Sequence, residues 1–540
     1  MTTPLFLALL SGCGLAPVEP QPAAEALTLL SPREQLMRLS IDLRGVHPAE
    51  VELETIAANP ALYDDFADRY LQDPRFLSRV RELFNLRYLT RTGEDYGKMV
   101  AGASDSQVAT AIGEEPLRLL THIVENDLPY SEMVLADYTV ASPLLAKIWD
   151  LDRADGDGWT LAHYTDTRPE AGVLTMNAVW QRYPSMGGNA NRHRANAVSK
   201  MLLCEDYLSR PIVLNRAAVD QLTIDPEAAI STNEACQSCH ASLDPLSAHF
   251  FGFFDINDDD NDFDGLYRPE YEEGWRRYAD KEPAYYGRPT ANLFELAEEI
   301  ADDPRFVDCA VQTVFEGLTQ RAQVDEDWSG TQTYRQAFLD SDLNIRELVR
   351  AIVTSEEYRA AHARDPDLED RMGGVKLVSP RQLATIMEDL TGYRWSFGGE
   401  DGLTTFSTGL PILLGGIDGD TVTARNYDPS VGTVFIQERL AQAAAHHVVT
   451  HDLDPERTDD AILLPYVTVK ERPDSDADLF EAQIRHLYLH VTGIPLEADA
   501  QEPQQLARMW EQLYAIEASP TAAWAGVVSA ILRDPRVLTY

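Results

Sequence analysis

Cys236-Gln237-Ser238-Cys239-His240 constrains this chain more than any other stretch. Two thiols one helical turn apart, followed at once by an imidazole, form the attachment signature of a c-type haem. The thiols add across two porphyrin vinyl groups, and the adjacent imidazole reaches the iron from the same side. The motif therefore predicts one covalent haem c on Cys236 and Cys239, with His240 as proximal ligand. A zinc site would need two further Cys or His ligands at knuckle spacing, and Cys204 and Cys309 stand alone. A thioredoxin-like dithiol would need a βαβ context, which the helical patterning here does not offer.

The other face of the iron has several candidates. No Met lies between Cys239 and Met372. Upstream stand Met176, Met186, His193 and Met201. Met186 sits in the loop Tyr183-Pro184-Ser185-Met186-Gly187-Gly188, and His193 lies between Arg192 and Arg194, which suit haem propionates. Met186 or His193 is the preferred distal ligand. His249 follows the motif by nine residues and serves only if the chain wraps round. Each also reads as an ordinary packing residue, and an open, five-coordinate iron is a further alternative.

The surrounding chain reads as mainly α: a multidomain helical protein with a central mono-haem region and long irregular loops. Arg33 to Leu43 places apolar residues on a helix face and stops at Gly45. Pro48 opens a second helix, Tyr63 to Leu71 a third, and Asp73-Pro74 breaks it before a fourth. Glu115 to Asn126, Ser131 to Tyr138, Ala291 to Ala301, Phe306 to Arg321, Thr333 to Leu339, Asn344 to Arg359 and the region from Ser379 onward follow suit. Residues 150–170, 255–290 and 398–427 read as loops with short extended pieces. Asp73-Pro74-Arg75-Phe76, Asp303-Pro304-Arg305-Phe306 and Asp534-Pro535-Arg536-Val537 share one punctuation, either a reused helical hairpin or a common break.

These patterns divide the 540 residues into a lipoprotein signal peptide (1–13), a Pro/Ala/Glu-rich tether (14–30) and an N-terminal helical domain (31–150). A haem c-binding region with an acidic loop (151–290), a helical domain packing near it (291–365) and a C-terminal helical domain (373–540) follow. The signal peptide rests on Leu10-Ser11-Gly12-Cys13 after an apolar run, which places lipid on Cys13 and anchors the protein to a membrane. It lacks a charged n-region. No run of about 18 apolar residues follows. Outside the cytoplasm Cys204 and Cys309 form a disulfide or stay as two buried thiols.

Acids outnumber bases 88 to 45, for a net charge of −43. Such a surface repels nucleic-acid backbones and suits a basic redox partner. Asp260-Asn261-Asp262-Phe263-Asp264-Gly265 fits the first half of a calcium loop, with Asp260, Asp262 and Asp264 as ligands; the alternative is a solvated acidic loop. Asp152, Asp155 and Asp157 form a weaker candidate. His486 and His490, and the group His446, His447 and His451, read as surface or core histidines.

The haem segment from Cys236 to Asp255, with Asp244-Pro245 close behind the motif and Phe254-Asp255 closing it, resembles the large cytochrome-c-associated proteins of planctomycetes and myxobacteria, built of domains of unknown function. Ile41 to Pro48, Glu115-Pro116 through Tyr138, Ala171 to Thr175, Asn191 to Arg194, Gly287 to Arg321 and Leu348 to Tyr358 extend the resemblance over most of the chain; residues 379–540 are less similar. It implies a periplasmic or surface haem protein and supplies no substrate. Electron transfer is the expected role, with a haem-dependent oxidoreductase, a relay for a dehydrogenase partner, or a helical scaffold as alternatives.

Overall fold

In the computed structural model, which describes residues 27–93, 100–185, 187–211, 216–253, 266–279, 281–324, 327–364, 369, 372 and 374–540, the chain is mainly helical, as its periodicity predicts. Helix α1 (Pro32–Arg44) starts on a capping box in which Ser31 and Glu34 satisfy each other's backbone amides, and ends at Gly45, whose φ of 72° only glycine adopts freely. After α2 (Glu50–Ala58) and α3 (Tyr63–Leu71) comes α4 (Arg75–Tyr88). Helix α5 (Asp105–Glu125) begins ten residues before the expected Glu115. The Ser104–Gln107 capping box sets its start, and Pro116 is carried inside it instead of opening it.

Irregular segments hold the short strands. Thr160–His163 pairs antiparallel with both Thr139–Ala141 and Asp152–Arg153, and Ser396–Phe397 pairs with Glu400–Asp401. Leu27–Leu29, read above as the end of a tether, is a strand paired antiparallel with Ala360–Ala363. Residues 1–13 and Cys13 lie outside the described residues.

The three Asp-Pro-Arg turns share one geometry. In each, the Asp carboxylate accepts from the backbone N–H of the Arg two residues on, at 2.9 Å for Asp73, Asp303 and Asp534 alike, and also pairs with that arginine's guanidinium. Asp supplies the missing acceptor for a freed amide, Pro fills a first-turn position that needs no donor, and Arg neutralises the cap. The repeated punctuation is thus a repeated local structure.

Two large hydrophobic cores result, beside smaller clusters around Ile112 and Trp149 and around Phe251. The first runs from Leu36 to Tyr358 and draws on residues from the segments 31–150, 151–290 and 291–365 together. It is traversed by α6 (Arg192–Leu203), α7 (Glu234–Ser247), α8 (Pro304–Thr319) and α9 (Ile345–Val353). The second gathers α10 (Pro380–Thr391), α11 (Val431–Asp452), α12 (Ala477–Thr492), α13 (Glu502–Glu517) and α14 (Pro520–Leu532). Helix α1 belongs to both: Leu36, Leu39 and Leu43 enter the first core, while Met37 and Ile41 enter the second. Its buried Asp42 meets Lys376 at 2.7 Å and the hydroxyls of Tyr358 and Tyr540 at 2.6 and 2.5 Å.

Cys204 and Cys309 are joined as a disulfide across 105 residues, tying the C-terminal end of α6 to α8. Replacing both with serine is expected to lower unfolding free energy by about 2–5 kcal/mol, read as a fall in the urea midpoint. An unchanged midpoint would show that the crosslink contributes nothing.

Candidate functional site

Asn233 caps α7 by accepting from the Ala235 amide, and Glu234 complements the positive helix end. The helix then carries Cys236 and Cys239 three residues apart, on one face, both half-buried and both free thiols. Leu243 and Leu246, seven residues on from Cys236 and Cys239, share that face and anchor it in the first core, and Cys239 packs at that core's edge. Behind it, Phe250 and Phe253 close on the Trp180 ring at 4.7 and 5.5 Å. The helix is held by apolar packing on the face that carries the thiols, which stay half-buried and are not joined in a disulfide.

His240 and Asp244 are i and i+4 on α7, and the His240 Nδ1 lies 2.9 Å from Asp244 Oδ1. Asp244 is only 2% exposed. Arg192, the first residue of α6, grips both its oxygens, with Nε to Oδ1 at 2.6 Å and Nη2 to Oδ2 at 3.2 Å. Burial pushes the Asp244 carboxyl up, but hydrogen bonds from His240 and Arg192 outweigh it and hold the group below its ordinary value. An ionised Asp244 fixes the His240 proton on Nδ1. The Nε2 lone pair is then the free ring donor, with no hydrogen-bond partner among the described residues. Asp244 and Arg192 were not assigned these roles from sequence. The four-residue spacing of His240 and Asp244 on a helix was the available signal.

The remaining candidates separate cleanly. Met176 and Met201 are buried in the first core and serve packing. His249 is buried, with Nδ1 on the Leu246 carbonyl at 3.0 Å and Nε2 on the Thr290 hydroxyl at 2.7 Å, and burial takes its pKa down to about 4. Both its ring nitrogens are spent. His193 stands exposed at the start of α6. Burial, then the charges of Arg182 and Arg194, lower its pKa, which keeps the ring neutral. The arginines beside it are committed elsewhere: Arg192 to Asp244, and the 1%-exposed Arg194 to the carbonyls of Phe253 and Tyr183. Neither is left for a propionate. Met186 and the calcium candidates Asp260, Asp262 and Asp264 lie outside the described residues. Asp152, Asp155 and Asp157 do not converge, and among the described residues no group of three or more His, Cys, Asp or Glu forms a metal site. His451 pairs with Asp452 at 2.8 Å, and His486 with Glu50 at 2.8 Å.

The donor set fits a covalently held haem: two free thiols, and an imidazole whose Nδ1 faces the Asp244 carboxylate and whose Nε2 is open among the described residues. It fits zinc less well, because Cys204 and Cys309 are consumed in their own disulfide. Compared with known proteins, the chain matches no family model, no curated protein and no solved structure.

Proposed function

We propose that this chain is an exported mono-haem c-type cytochrome-like lipoprotein that transfers electrons in the periplasm or at the cell surface. The observation that carries the reading is the α7 face, where Cys236 and Cys239 are free and His240 offers Nε2 because Asp244 holds Nδ1. Haem bound there would supply one-electron exchange. The chain's own residues supply the rest. Cys236 and Cys239 tether the group, His240 ligates it, Asp244 orients the ring, and Arg192 keeps Asp244 ionised and in place.

Localisation rests on Leu10-Ser11-Gly12-Cys13, with lipid on Cys13 as the anchor, and on a disulfide that suits an oxidising compartment. Among the described residues no helix is long and apolar enough to cross a membrane. The charge of −43 supports a basic redox protein as partner. The stretch Asp260, Asp262 and Asp264 supports a calcium ion beside the haem segment. The resemblance to the planctomycete and myxobacterial proteins belongs to the same proposal.

A haem-dependent oxidoreductase is the second reading, and the Asp244–His240 pair favours it. A carboxylate on Nδ1 makes the imidazole a stronger donor, which favours an electron-poor metal and redox catalysis.

Expression in a host with cytochrome c maturation, followed by absorption spectroscopy, tests both. A haem that stays with the denatured polypeptide and a six-coordinate low-spin spectrum are expected for a carrier. A high-spin spectrum with ready cyanide or carbon monoxide binding moves the role to the enzyme. Polypeptide free of covalent haem rejects the proposal.

A further inference from the structure

A cavity of about 320 Å³ opens between α5, the segment leaving α4, and the loop after α10. Arg91 and Arg381 line it with the hydroxyl-bearing Ser106, Thr110, Thr405 and Ser407. Behind it lies an unbalanced set of charges. Arg91, Arg81 and Arg118 all reach the single carboxylate of Glu114, at 2.5, 3.4 and 3.1 Å. Arg381 is a fourth cation in the same field, and no carboxylate among the described residues lies within ion-pair distance of it. The nearby Glu82 is already held by Arg79. Asp105, at the first turn of α5, is the other acid on the wall.

This arrangement runs against the rest of the molecule. The chain as a whole carries 88 acids against 45 bases. Here guanidinium groups crowd one another in the interior. Burial, then the charge of Arg91, takes the Arg381 pKa down to about 10, and burial takes Arg81 to about 10 as well. Burial alone would raise Glu114, but Arg91, Arg81 and Arg118 outweigh it and take the group to about 2. A cation cluster with surplus positive charge, hydroxyl donors and an open cavity is what an oxyanion requires. The start of α5 adds unpaired backbone amides and a positive helix end on the same wall.

We propose that this cavity binds a small oxyanion, a carboxylate or phosphate compound, through Arg381 and Arg91. Arg381 is the primary donor, because Arg91 is already engaged by Glu114 through its Nε. The anion supplies the negative charge the cluster lacks and clamps α5 of the first core to the loop after α10 of the second. The site is independent of Cys236, Cys239 and His240, so its fate does not depend on the haem proposal.

The test titrates inorganic phosphate and, separately, succinate into the full chain at low ionic strength, by calorimetry and by thermal unfolding, with sodium chloride at matched ionic strength as control. Saturable one-to-one binding of at least one anion, with a higher unfolding temperature than chloride gives, is expected. Which of the two binds distinguishes the phosphate from the carboxylate class. Arg381→Gln should weaken binding roughly tenfold or more, whereas the exposed Arg508→Gln should not. If Arg381→Gln fails to fold, Thr405→Val carries the same direction of change, since its hydroxyl makes no hydrogen bond among the described residues. Failure of both anions to saturate below about 10 mM, or wild-type affinity in the Arg381 or Thr405 variant, overturns the proposal.

Discussion

Alanine at both Cys236 and Cys239 is expected to abolish covalent haem incorporation while leaving the fold intact. Both thiols are half-buried, neither is in a disulfide, and Leu243 and Leu246 on the same face keep α7 anchored in the first core. Truncating two such side chains costs little, of the order of 1 kcal/mol or less. The thioether bonds have no substitute, so the effect on haem is all-or-none. Each single variant keeps one attachment point and retains part of the haem. Haem staining after denaturing electrophoresis, beside far-UV circular dichroism, separates the two effects. Stain persisting in the double variant would show that the haem is held elsewhere. Collapse of the helical signal would show that the pair is structural.

The second large effect falls on Asp42. Its carboxylate is 2% exposed and is shared by Lys376, Tyr358 and Tyr540. Asp42→Ala strands the Lys376 ammonium in the interior with no counter-ion, at an expected cost of about 3–5 kcal/mol. Burial already takes the Lys376 pKa down to about 8 against the pull of Asp42. Without Asp42 it falls further. The unfolded chain then binds more protons than the folded one between that lower value and the ordinary lysine value, so unfolding free energy rises with pH across this window. The variant should therefore recover part of its loss between pH 7 and pH 9.5. Urea unfolding at the two pH values checks this. A loss below about 1 kcal/mol at pH 7 would mean that water reaches Lys376 and that the junction is not a buried one.

What the sequence discloses here is local. The start of α1, the stop at Gly45 and the Asp-Pro-Arg turns are decided by neighbours a few residues apart, and they are readable because caps and turns need particular side chains. The Cys-x-x-Cys-His spacing is readable for the same reason. What resisted reading is whatever depends on which faces meet. Met176 and Met201 fit a ligand role as well as a core role until their burial is known. His249 looked available until Thr290, 41 residues away, was seen to occupy it. The Arg81, Arg91, Arg118 and Arg381 cluster is assembled from separate helices and loops, and an acidic composition hides it. Pro116 misplaced the start of α5 because a helix can absorb a proline when its cap is strong and its face is buried.

The double allegiance of α1 also has a consequence in time. Asp42 and Tyr540 are 498 residues apart, yet their side chains touch. At roughly 5–20 residues per second, the partner that completes the Asp42 pocket is made about half a minute to a minute and a half after α1. Lys376 reaches Asp42 about two thirds of the way through that interval and Tyr540 comes last, while Met37 and Ile41 wait for the helices of the second core. The first core, whose buried members end at Tyr358, can close before the second, while the helix they share still has one face uncovered. One face of α1 therefore stays open to water until the C-terminal helices exist, so the junction of the two cores is the last part of the molecule to be sealed.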